Sequence, residues 1–133
     1  MAPLLDGLRI LVLEDEALIA MDVEQLCLEH GASHVTVLGD LAEISAEAAA
    51  TGFDAAILDL MLGGVSTLDF ARQLRDREVP FVFASGYSGT EELKQAFPDV
   101  TLVNKPYSGI DLVEAVARSC GVPSSQEFGD AIT

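Results

Sequence analysis

Ala55-Ala56-Ile57-Leu58-Asp59 is a short apolar run closed by a carboxylate. Bounded by turn residues and only a few positions long, it reads as a strand buried on both faces of a sheet. Leu60-Met61-Leu62-Gly63-Gly64 comes next, so the acid stands where the strand ends and a glycine-containing loop turns away. In open α/β sheets the carboxyl edge is where ligands bind. A lone Asp after a strand also commonly starts a turn or caps a helix, so the flanking sequence has to decide between the two.

Upstream, residues 8–13 form another run rich in Ile, Val and Leu, ended abruptly by Glu14-Asp15-Glu16. Residues 35–38, 81–84 and 100–103 supply three further apolar runs, the second of them announced by Pro80. Helical periodicity fills the intervals. Over 16–30, Ile19, Val23, Leu26, Cys27 and His30 recur at spacings of three and four, and Gly31 supplies the stop. Residues 41–50 are rich in Ala and Glu, with Asp40 and Glu43 spaced as a capping box. Ser66 is placed to cap a helix over 67–77 whose Leu68, Ala71, Leu74 and Arg75 share one face. A shorter helix is predicted over 90–97, cut by Pro98, and a last one over 110–119, opened by Ser108 and Asp111 with Leu112, Val113, Val116 and Ala117 as its apolar stripe. Five strands alternating with five helices call for an α/β fold, a parallel sheet covered on both faces with right-handed crossovers. One domain is expected over residues 1–121, and the polar stretch 122–133 is expected to be a flexible tail.

The chain has 133 residues, half of them hydrophobic, which is enough for one core and leaves no room for a second module. With 22 Asp and Glu against 7 Lys and Arg, the net charge is −15. The phosphate-neutralising contribution that dominates nucleic-acid binding is therefore missing. The acidic excess suits a cation site or a partner with a basic face, and equally a surface whose charge only maintains solubility. Cys27 and Cys120 have neither CxxC nor zinc-ligand spacing and are expected to be small apolar or half-buried residues. The amino terminus has no signal-like stretch, and no run approaches the roughly 20 apolar residues of a membrane span. A cytoplasmic protein, not associated with membranes, is the expectation.

In a parallel sheet the carboxyl ends of all strands face one edge. The first strand delivers Glu14 and Asp15 there, the third Asp59, the fourth Ser85 and the fifth Lys105. Three carboxylates crowded together repel one another unless a cation shares the site. Mg2+ fits, because it takes oxygen ligands, retains several waters and typically uses one or two carboxylates. Asp15 and Asp59 would ligate it directly, Glu14 through water, and the Met61 backbone carbonyl would add another oxygen. Beside the metal, Asp59 is a plausible nucleophile toward phosphorus, with Lys105 and Ser85 stabilising the transferred group.

Ile10-Leu11-Val12-Leu13-Glu14-Asp15-Glu16, Ile57-Leu58-Asp59, Phe83-Ala84-Ser85-Gly86 and Lys105-Pro106, in this order, resemble the receiver domain of two-component response regulators from about residue 8 to 121. The resemblance implies a flavodoxin-like (βα)5 doubly wound sheet of strand order 2-1-3-4-5. It implies that Asp59 accepts a phosphoryl group from a histidine kinase with Mg2+, that Glu14 and Asp15 are the acid pair, Ser85 the switch hydroxyl and Lys105 the phosphate-binding lysine. Many receivers carry an aromatic residue three positions before the lysine; Leu102 stands there in this chain. Phe83-Ala84-Ser85-Gly86-Tyr87 is instead similar to a stand-alone subgroup with Phe-Ala-Thr-Gly followed closely by Tyr. In that subgroup the segment after the fourth strand, here Gly86, Tyr87 and the 90–97 helix, carries the switch. The expected role is signalling by contact with an unidentified downstream protein, as a monomer or weak dimer, without turnover of an outside substrate. A phosphate sink for a kinase and an unphosphorylated adaptor are the alternatives.

Overall fold

The computed structural model of the chain describes residues 4–85, 95, 102–104 and 109–120. Its central sheet is built from β1 (Arg9–Leu13), β2 (His34–Leu38), β3 (Ala55–Asp59), β6 (Phe81–Ser85) and β7 (Leu102–Asn104) in the order β2-β1-β3-β6-β7. All four pairings are parallel. This is the 2-1-3-4-5 order implied by the resemblance, since β6 and β7 are the fourth and fifth strands of this sheet. The apolar run that begins at Ala55 becomes β3, at the sheet centre between β1 and β6.

Strand geometry sends successive side chains to opposite faces, and the core divides accordingly. Ile10, Val12, Ala55, Ile57 and Val82 join Val23 and Cys27 of α1 (Ala17–Glu29) and Leu112, Val113 and Val116 of α4 (Gly109–Ser119) in one cluster. Leu11, Leu13, Ala56, Leu58 and Phe83 join Ala49 of α2 (Ala46–Gly52) and Leu68, Ala71 and Leu74 of α3 (Leu68–Asp76) in the other. Burial on both faces is why these strands read as unbroken apolar runs. Leu5, which precedes every element predicted from the sequence, is fully buried in the first cluster, and its N–H donates to His30 O at 2.9 Å.

Three expectations need correction. The helix expected over 41–50 is a single 3-10 turn, Leu41–Glu43, followed by α2. Ile44 between them is extended (φ −150°, ψ 143°) and packs on the second cluster, while Ser45 starts α2 by accepting from Ala48 N at 3.1 Å. Asp40 accepts from Ala42 N at 2.9 Å and caps only the 3-10 turn. Arg75, placed on the buried face of α3, is exposed, and Phe70 is buried in that helix instead. The segment after Asp59 is a β-hairpin, β4 (Met61–Leu62) with β5 (Val65–Ser66). The helix expected over 90–97 and the tail 122–133 lie outside the described residues, Gln95 excepted.

Candidate functional site

Parallel pairing of β1 with β3 in the register Leu13↔Leu58 brings their carboxyl ends side by side. Glu14 and Asp15 leave β1 at the level where Asp59 ends β3. One carboxylate oxygen from each of the three residues falls within 4.8 Å of the others. Glu14 is 6% exposed, Asp59 half-buried and Asp15 exposed, so the group opens to solvent on the Asp15 side. Neighbouring backbone holds Glu14: its N–H donates to Leu38 O at 3.1 Å, and its Oε2 accepts from Glu16 N at 3.2 Å.

The hairpin reaches back toward these acids. Gly63 and Gly64 sit at φ 58° and 82°, the pair of positive angles that a two-residue turn between antiparallel strands requires and that glycine adopts without strain. At the tip, Gly63 N donates to Asp15 Oδ2 at 3.0 Å. Met61 lies in β4, two residues after Asp59, with its side chain 49% exposed. At the base of the hairpin, Thr67 is fully buried, and its Oγ1 donates to Asp59 O at 2.6 Å. Neither the hairpin nor Thr67 was anticipated. Gly63-Gly64 between apolar residues is a hairpin signal, whereas a threonine before a helix gives none.

Ser85 ends β6 and is in register with Asn104, one step beyond the Asp59↔Ala84 pair, so its backbone reaches the same edge. Leu102 opens β7 in register with Phe83. Lys105, Gly86 and Tyr87 lie outside the described residues.

The donor set fits Mg2+: all three side chains offer oxygen, as a hard divalent cation prefers, and no Cys or His belongs to the group. At the opposite edge of the sheet a carboxylate is paired with a cation, Asp54 with Arg9. Asp54 accepts from Arg9 N at 2.8 Å and from its Nε and Nη2 at 3.2 Å each. Hydrogen bonding to the guanidinium holds the Asp54 carboxyl below the usual carboxylate range, and the same contact raises Arg9. Burial pushes the Cys27 thiol up to about 12, far from a reactive thiolate. A groove lined by Arg75, Val79, Pro80, Phe81 and Arg118 also lies at this far edge, away from the acids.

Residues 10–117 match the family model described as "Response regulator receiver domain". Among curated proteins, the sensory transduction protein RegX3 of Mycolicibacterium smegmatis is 33% identical over 112 residues, covering 80% of this chain. The chain spans about half of that relative, 48% of its length. A response regulator receiver protein from Sinorhizobium medicae superposes with a TM-score of 0.75 at 25% identity, covering 88% of this chain and 97% of its own. The anti-anti-sigma factor PhyR of Bartonella quintana, in a mutant form, shares the fold with a TM-score of 0.72 at 22% identity, covering 86% of this chain and 49% of its own.

Proposed function

Since the chain belongs to the response regulator receiver domain family, a family of signalling phosphoacceptors that partner histidine kinases, we propose that it accepts a phosphoryl group on Asp59 from such a kinase and signals by protein contact. The observation that carries this reading is the convergence of Glu14, Asp15 and Asp59 from two adjacent strands within 4.8 Å. A half-buried carboxylate at the end of the central strand, beside two others, is arranged for attack on phosphorus once their mutual repulsion is neutralised.

In the proposed reaction an Asp59 carboxylate oxygen forms a bond to phosphorus as the bond from phosphorus to a phosphohistidine nitrogen breaks. The nitrogen keeps the electron pair and takes a proton from solvent. Glu14, Asp15, Asp59 and the Met61 carbonyl would hold Mg2+, which when bound supplies neutralisation of the charge on the phosphoryl oxygens. Lys105 and the Ser85 hydroxyl are assigned to those oxygens, with Ser85, Gly86, Tyr87 and Leu102 relaying the change. Exposed apolar side chains on α1 and on the hairpin support contact with other proteins. Leu18 (79% exposed), Met21 (63%) and Leu28 (46%) recur along the outer side of α1, and Met61 and Val65 stand out from the hairpin. The protein is proposed to work in the cytoplasm.

The test is intact mass after incubation with Mg2+ and a small-molecule phosphodonor, for the native chain and Asp59→Asn. One added phosphoryl is expected on the native chain, and none on the variant or in chelator. Equal addition to both chains, or none to either, would sink the assignment.

A further inference from the structure

Thr67 and Glu14 are the buried polar residues among those described, and Thr67 is 0% exposed. It precedes α3, where a hydroxyl ordinarily accepts a hydrogen bond from an N–H in the first helical turn. Thr67 makes no such bond. Ser66 accepts from Leu68 N at 3.2 Å instead, which leaves the Thr67 hydroxyl to serve another purpose. It crosses back to the end of β3, donating to Asp59 O at 2.6 Å and lying 3.1 Å from Leu60 O. A hydroxyl has one proton, so the shorter contact is the main bond. Thr67 N–H completes the attachment by donating to Leu60 O at 3.0 Å.

These contacts close the hairpin at its base, between the strand that delivers Asp59 and the first turn of α3. Its tip is held separately, by Gly63 N on Asp15 Oδ2. The segment that carries both the Asp59 carboxylate and the Met61 peptide is therefore clamped at two ends, one of them a single buried side chain. We propose that Thr67 is a positioning residue for Asp59, its hydroxyl fixing the peptide groups after the carboxylate so that the three acids stay in reach of one cation. This role rests on the reading of Asp59 as metal-assisted phosphoacceptor.

The experiment compares Thr67→Val, which keeps the branched shape without the donor, with Thr67→Ser, which keeps the donor without the methyl. Ser66→Ala disturbs the same helix start without touching Asp59. Mg2+ affinity is measured by calorimetric titration, and phosphoryl incorporation from a small-molecule donor over a range of donor concentrations. Loss of one hydrogen bond at the site is expected to weaken Mg2+ binding by about tenfold in Thr67→Val. The maximal rate should fall with it, with little change in the half-saturating donor concentration. Thr67→Ser should recover most of both, and Ser66→Ala should match the native chain. A Thr67→Val protein that melts earlier yet binds Mg2+ and takes phosphoryl like the native chain overturns the role, as does an equal loss in Ser66→Ala. Should Thr67→Val not fold, Thr67→Cys, with a weak S–H donor, takes its place in the same comparison. A native chain that binds Mg2+ but takes no phosphoryl overturns the reading of Asp59 and leaves the positioning role to be decided by Mg2+ affinity. A native chain that binds no Mg2+ overturns both.

Discussion

Arg9 and Asp54 show how differently single residues at the two edges of one sheet are balanced. Asp54 meets three nitrogens of Arg9, and its carboxyl titrates below the usual range because of them. A carboxyl whose folded pKa is depressed contributes stability above its unfolded pKa and loses it as pH falls through the folded value. The stability difference between the native chain and Asp54→Asn should therefore be constant near neutrality and shrink below about pH 4, the ordinary carboxylate value. Both partners remain partly exposed to solvent, which screens the pair and keeps the difference small. Denaturant melts at closely spaced pH values check this, and a difference unchanged down to pH 2.5 would refute it. At the other edge the acids face one another, and their identities were legible because Glu14, Asp15 and Asp59 each interrupt an apolar run. Thr67 was not legible, because a hydroxyl that reaches back eight residues to Asp59 O looks in sequence like any residue ahead of a helix.

At the scale of elements, the boundaries that moved were those set by local competition. The stretch over 41–50 has helix-forming composition, yet Ile44 turns extended to reach the core and Ser45 restarts the helix. Ser45→Ala should cost about 1 kcal/mol, typical of a lost N-cap, and speed amide exchange across α2. Asp40→Ala, which removes the cap of one 3-10 turn, should do less. A Ser45→Ala variant as stable as the native chain, with amide exchange in α2 unchanged, would mean that α2 does not depend on its cap. The hairpin after Asp59 escaped notice because two-residue strands are too short to show alternation. As a glycine pair after a strand, Gly63 and Gly64 suggest a loop that turns away; both at positive φ, they instead turn the chain back toward Asp15.

For the whole molecule, stability and function meet at the acidic edge. A cation that binds only the folded chain stabilises it by about 2.7 kcal/mol at a hundredfold excess over its dissociation constant. Mg2+ should therefore raise the melting temperature of the native chain, and Asp15→Asn should lose most of that rise. Without metal, Asp15→Asn should melt above the native chain, since one of three crowded charges is gone. A variant that melts lower in chelator would show that Asp15 matters more for its bond to Gly63 than for its repulsion. Sequence by itself determined the alternation of strands and helices and the acids that end β1 and β3, because burial on both faces demands unbroken apolar runs that a polar residue visibly ends. The resemblance added the strand order, which periodicity along one chain does not contain. Only the tertiary structure decided how the acids are held: by a hairpin tip on Asp15 and a buried hydroxyl behind Asp59. Those contacts join groups 48 and 8 residues apart in the chain, and hydrogen bonds across such separations leave no periodic trace in the residues between.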